Sequence, residues 1–202
     1  MPYYRVDPKK ITDYDRTNAE LQTFFLFSVA VAGKTASQIS LAVERFLKLE
    51  PKGSTPFGKM RRMIESGTLL DNIKNARLGK WGVLAKCYEQ VIEERIDIRT
   101  ASCETLELLP GIGPKTSRFF VMHSRPKQKV AALDTHILQY LRDKGFKIPN
   151  GIPTGKAYAE VEKIFIEHAE QMGYDDLAEF DLIIWNQYSK RSGTGEQILK
   201  VT

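Results

Sequence analysis

Cysteine is almost missing from this chain, with only Cys87 and Cys103 in 202 residues. Two thiols cannot staple a small secreted scaffold or hold a four-thiolate cluster, and such sparing use fits a reducing compartment. Histidine is nearly as rare, and no second histidine or cysteine stands at metal-ligand spacing, so no side-chain metal site is expected. Long apolar runs are lacking too. The longest, around Phe24 to Gly33, falls well short of a bilayer, and the opening MPYYRVDPKK carries no apolar core of signal-peptide length. An intracellular protein with no membrane partner is expected. Period-two alternation, the mark of half-buried strands, hardly occurs. Nor is there an internal repeat, a low-complexity segment or a linker that demands a domain boundary.

What is present is ordinary for a globular chain: 42% hydrophobic and 27% charged residues, enough to bury a core in one unit or two small lobes. The formal charge is +5 and the pI about 9.1, which attracts a polyanion without dictating one.

Apolar residues recur at three and four along most of the chain, which predicts an all-α fold. Leu21 to Leu49 reads as two helices joined at Ala32-Gly33-Lys34-Thr35, the first apolar nearly all round. After the loop Pro51 to Pro56, helices are expected from Pro56 to Glu65, Leu69 to Asn75 and Val83 to Ile96. Ser102 suits the N-cap of a short helix to Leu109, and Pro110-Gly111-Ile112-Gly113-Pro114 ends it sharply. Pro114 suits the first position of the next helix, which continues to His123. An extended run, Val130 to Leu133, then leads to Asp134 as the N-cap of a helix through Lys144. Two more helices, Lys156 to Met172 and Asp175 to Tyr188, precede a tail that looks frayed from Ser189.

The hairpin is the first feature with chemistry in it. Two glycines flanking Ile112 permit a tight turn and close backbone approach, with Ile112 plugging the turn into the core. Backbone amides of Gly111, Gly113 and the first turn of the next helix are placed to meet an anion, where the helix dipole also favours one. A DNA phosphate fits such a slot, and contacts of this kind set register without reading sequence. The plain alternative is a helix-to-helix turn.

The residues on either side of Pro114 and those around Asp134 together carry a resemblance. Leu109-Pro110-Gly111-Ile112-Gly113-Pro114-Lys115-Thr116, with Val130-Ala131-Ala132-Leu133-Asp134-Thr135-His136-Ile137 after it, resembles the paired signature of the helix-hairpin-helix DNA glycosylase superfamily, to which endonuclease III belongs. The aspartate stands nineteen positions after the lysine, and weaker similarity runs from about Leu21 to Tyr188. The resemblance implies an all-α fold of two helical lobes flanking a DNA-binding cleft: a central lobe of about 21–140, and a second from the N-terminal segment plus about 141–202, in one unit spanning 1–202. It implies a hairpin that grips damaged double-stranded DNA, a potassium or sodium ion on the hairpin backbone, and a target nucleotide flipped from the stack. The four-cysteine pattern that binds the iron–sulfur cluster of endonuclease III is missing, so no cluster is expected and the likeness shifts to cluster-free relatives such as the 8-oxoguanine glycosylases.

By the same resemblance, Lys115 is the nucleophile that forms an imine with the sugar, and Asp134 assists breakage of the glycosidic bond. Lysine attacks only as the free amine; a helix N-terminus, whose dipole disfavours added positive charge, and partial burial in a cleft both favour that form, whereas a nearby aspartate favours the charged amine and could relay its proton. Relatives that only remove the base carry another residue at the lysine position, so Lys115 is the basis for lyase activity. The expected enzyme is a monomeric glycosylase with lyase activity toward abasic sites, acting on oxidised bases, 8-oxoguanine ahead of oxidised pyrimidines. Each residue keeps a plainer reading: Lys115 as a phosphate-binding surface lysine, Asp134 as a helix cap only, or both roles at once for Asp134. His136 reads as a structural or phosphate-side residue.

Further candidates surround these motifs. Ala32-Gly33-Lys34-Thr35 is not a phosphate-binding P-loop, which would need a glycine where Ser28 stands; Val31 to Lys34 is either a plain turn or a contact to the opposite strand. Gly79-Lys80-Trp81-Gly82 combines a basic residue, an aromatic and two glycines, suited to backbone contact and stacking unless Trp81 is core. Lys127 and Lys129 lie in a basic loop between the two motifs, either solvated or on phosphate. Gly111, Ile112, Gly113, Thr116, Gly79, Lys80, Lys34, Lys127 and Lys129 thus form the expected DNA contacts. Asp181, Trp185 and Tyr188 fall on one helix face, which suits either a pocket for a flipped base or a buried aromatic stripe.

Overall fold

The computed structural model describes residues 5–191. Among them are ten helices and no strand: α1 (Asn18–Val31), α2 (Ala36–Lys48), α3 (Pro56–Glu65), α4 (Leu69–Asn75), α5 (Trp81–Glu93), α6 (Cys103–Glu107), α7 (Pro114–Ser124), α8 (Thr135–Asp143), α9 (Gly155–Gln171) and α10 (Leu177–Arg191). The all-α class expected from periodicity is what forms.

Local chemistry explains the starts. Thr17 opens α1 with a capping box, its hydroxyl accepting from the Glu20 amide while the Glu20 carboxylate accepts from the Thr17 amide at 2.8 Å. Thr55 caps α3 through the Gly58 amide, with Pro56 at the first position, and Ser102 caps α6 through the Thr105 amide. The expected helix from Val83 instead begins at Trp81, because Lys80 adopts a left-handed conformation (φ 47°) that breaks the chain direction there. The segment expected to fray from Ser189 is helical through Arg191, and the remainder of the expected tail lies outside the described residues.

The chain divides into two compact units, one from Met1–Pro8 and Asp15–Thr116, the other from Lys9–Tyr14 and Ser117–Thr202. The sequence passes from one unit to the other within α7.

In the first unit α1 is central and buried without interruption from Leu21 to Ala30. It packs on α2 and α3, and α3 and α4 pack on α5. Polar groups that the core encloses are bonded, as burial demands: the Tyr88 hydroxyl donates to the Leu26 carbonyl at 3.1 Å, and Gln22 accepts the Phe57 amide at 3.0 Å. In the second unit α8 and α9 pack on α10 around Leu133, Tyr140, Tyr158, Phe165, Phe180 and Ile184. The short Lys9–Tyr14 segment is fastened to this unit by polar contacts. The Thr12 hydroxyl pairs with His123 Nδ1 at 2.8 Å, the Asp13 amide donates to the His123 carbonyl at 3.2 Å, and the Tyr14 hydroxyl donates to Asp176 at 2.7 Å.

Candidate functional site

The first unit gathers most of the expected contact residues onto linked loops. The hairpin turns on two backbone bonds, Ile112 N–H to the Leu109 carbonyl (3.2 Å) and Thr116 N–H to the Gly113 carbonyl (2.9 Å). Ile112 is buried, as expected of a plug, and so is Thr116, whose amide closes the turn instead of facing outward. The two glycines differ in kind. Gly111 has φ +81°, and a Cβ there would lie 2.4 Å from Val83 Cγ1 of α5, so neither backbone nor space admits a side chain. Gly113 is exposed and a Cβ would meet nothing within 4 Å. The fold therefore needs the first glycine and leaves the surface beside the second open to a close partner.

Val83 also ties the hairpin to the start of α5, where Gly79 to Gly82 lie. There two lysines reach across to each other's loops. Lys80 Nζ donates to the Ala32 carbonyl at 3.0 Å, and Lys34 Nζ donates to the Leu78 carbonyl. Gly79 has φ +68°, a left-handed backbone that favours glycine, and a Cβ there would also displace the end of the Lys34 side chain. Burial, and secondarily the Lys80 charge, holds the Lys34 ammonium below its ordinary pKa. Trp81 is half exposed (50%) and is not core, beside exposed Val83. Lys34 also lines a surface cavity of about 490 Å³ together with Thr35, Gln38, Arg45 and Arg77 among others, with no carboxylate in its wall. Lys34, Gly79, Lys80, Gly111, Ile112, Gly113 and Thr116 thus belong to one linked set of loops in this unit.

Lys115 closes that set. It is the second residue of α7, half-buried, directly after the hairpin.

Asp134 belongs to the second unit. It caps α8, its Oδ1 accepting from the amides of His136 (2.8 Å) and Ile137 (2.9 Å), so the cap role expected of it is real. Two bonds to one oxygen fix the carboxylate in a single orientation. The strand-like approach to it is held from α9: the Tyr158 hydroxyl accepts the Leu133 amide (3.1 Å) and donates to the Ala131 carbonyl (2.7 Å), while Glu162 Oε1 accepts the Ala131 amide (2.8 Å) and Arg118 Nε (2.9 Å). The Arg118 guanidinium lies 4.9 Å from the Tyr158 ring centre. Sequence reasoning missed Arg118, Tyr158 and Glu162. The available signal was the spacing of four between Tyr158 and Glu162, which places two polar groups on one face of α9.

The face of α10 proposed as a base pocket is largely engaged internally. Asp181 is buried 3.6 Å from His123 Nε2, and the Tyr188 hydroxyl donates to Asp143 at 2.9 Å. Half-buried Trp185 meets His136 edge to face at 5.9 Å, giving His136 a packing role. In the basic loop, Lys129 pairs with Glu170 at 2.6 Å, whereas Lys127 is exposed with φ 55°.

Among the described residues no group of three or more His, Cys, Asp or Glu is placed to hold a metal ion. No helix of the described residues is long and apolar enough to cross a membrane. Both cysteines are buried and neither is in a disulfide, and burial pushes the Cys87 thiol up to about 12.

No protein-family profile matches the chain. Its fold is similar to a crystal structure of Methanocaldococcus jannaschii 8-oxoguanine glycosylase/lyase in complex with a 15mer DNA containing 8-oxoguanine, with a TM-score of 0.63, 22% sequence identity, and coverage of 96% of this chain and 89% of that one. At that identity the likeness is one of fold.

Proposed function

We propose that this protein is a base-excision DNA glycosylase with lyase activity toward abasic sites, and that it acts on oxidised bases, 8-oxoguanine ahead of oxidised pyrimidines. The observation that carries the reading is the seat of Lys115: an amine in the first turn of a helix, directly after a glycine hairpin whose outer glycine is unobstructed. The fold likeness to a glycosylase/lyase crystallised on 8-oxoguanine DNA supports the same reading.

Duplex phosphates would be held by the hairpin and by the Lys34 and Lys80 loops, with Trp81 offering a stacking face. Leu109–Pro114 supplies backbone oxygens and no carboxylate, a donor set that suits a potassium or sodium ion. Once the damaged nucleotide is flipped out, Lys115 Nζ bonds to C1′ as the bond from C1′ to the base breaks, and the base leaves with that electron pair and takes up a proton. Asp134 stabilises the positive charge that grows on the sugar. The bound nitrogen then opens the ring to an imine, a proton leaves C2′, and the bond from C3′ to the phosphate oxygen breaks, nicking the strand on the 3′ side.

Borohydride trapping on a panel of lesion duplexes tests this. A covalent adduct is expected with wild type and none with Lys115→Gln. Absence of an adduct on every lesion and on abasic sites, or undiminished trapping by Lys115→Gln, overturns it. Base release without an adduct reduces the function to excision alone, and salt-sensitive binding with no chemistry reduces it to a DNA clamp.

A further inference from the structure

The best-defined polar network of the second unit surrounds the backbone that delivers Asp134, and the residues that build it come from two helices distant in sequence. Three polar groups of that backbone are taken: the Ala131 amide by Glu162, the Ala131 carbonyl and the Leu133 amide by Tyr158. Tyr158 is almost fully buried, at 2% exposure, and the Arg118–Glu162 pair is close to it at 13% and 12%. A single oxygen, Glu162 Oε1, joins α7 to this segment, since it accepts both Arg118 Nε and the Ala131 amide. The segment has no sheet partner, and its one internal backbone bond, Leu133 N–H to the Ala131 carbonyl at 3.1 Å, is reinforced at both ends by the Tyr158 hydroxyl, while the buried Ala131 amide is satisfied by Glu162. The clamp ends one residue before Asp134, whose carboxylate is then fixed by the two amides of its own cap.

We infer that Tyr158 and Glu162, with Arg118 behind them, are positioning residues that set the orientation of the Asp134 carboxylate for glycosidic bond cleavage. The inference rests on the proposed role of Asp134. Tyr158 touches no substrate in this scheme; it acts through the Ala131–Leu133 backbone, and a displacement of about 1 Å at a reacting group is enough to cost about a hundredfold in rate.

Tyr158→Phe removes the hydroxyl and keeps the ring under Arg118. In single-turnover assays its base release should fall about tenfold or more, while duplex affinity and borohydride trapping on a preformed abasic site, which has no glycosidic bond left to break, stay close to wild type. Glu162→Gln, which keeps an acceptor oxygen, should lose less than Glu162→Ala. Amide hydrogen exchange supplies a readout independent of activity: protection of the His136 and Ile137 amides should drop in Tyr158→Phe. Unchanged base release and unchanged protection overturn the inference, and so does an equal fall in binding, trapping and release, which indicates a merely structural role. If wild type itself releases no base, the functional reading fails, and the exchange result alone then decides whether the clamp positions Asp134.

Discussion

At the scale of single residues, the two hairpin glycines make opposite predictions. Gly111→Ala combines a left-handed backbone with a contact to Val83 that cannot form, and should cost about 1–2 kcal/mol or more in chemical denaturation. Gly113→Ala has open space and no positive φ, so stability should hold while duplex affinity falls as the added methyl keeps the backbone from a phosphate. Equal stability losses would contradict the distinction. Asp134 separates in the same manner. Asp134→Asn retains an oxygen for the cap and should stay within about 0.5 kcal/mol of wild type, whereas Asp134→Ala loses the cap at about 1 kcal/mol. Both should lose base release by about a hundredfold, since neither carries the charge. The sequence made the hairpin, its plug and the cap legible, because each depends on neighbours within a few positions. It did not show which glycine the fold requires: that depends on Val83, far away in the chain.

At the scale of elements, helix starts were legible where a cap or a proline sits beside the first turn, as with Thr55-Pro56 for α3, Ser102 for α6 and Asp134 for α8. The start of α5 was not, because Lys80 holds a left-handed conformation usually reserved for glycine or asparagine, while its ammonium is bonded to the Ala32 carbonyl. Long-range pairing of this kind leaves no trace in local periodicity. The same reason hid the clamp from α9 and the internal partners of Asp181 and Tyr188, which the sequence could place on a common face without showing what that face meets. The lysine exchange between the 32–35 turn and the 77–82 loop predicts coupling: in a double-mutant cycle, Lys34→Met and Lys80→Met should be non-additive in duplex affinity, because each holds the loop that carries the other. Additive losses would show two independent contacts.

At the scale of the whole molecule, the all-α class and the run of helical segments follow from composition and periodicity, but the division into units does not, since the segment Lys9–Tyr14 belongs with residues more than a hundred positions away. Stability should also respond to pH through His168, which shares a hydrogen bond with Tyr140 at 2.8 Å. Burial, and then the Lys144 charge, holds its folded pKa below the ordinary value. The unfolded chain therefore binds the proton first, so this contribution is complete above about pH 6.5 and is lost as pH falls through that region toward the folded value. Thermal denaturation across that window should show the loss, and His168→Gln should flatten it.

The fastening of Lys9–Tyr14 has a consequence for biosynthesis. These residues leave the ribosome before nearly all of the first unit, yet their partners His123 and Asp176 are made only after it. The first unit can close during translation. The second cannot complete until Asp176 has been made, and its earliest piece must wait through the synthesis of everything between.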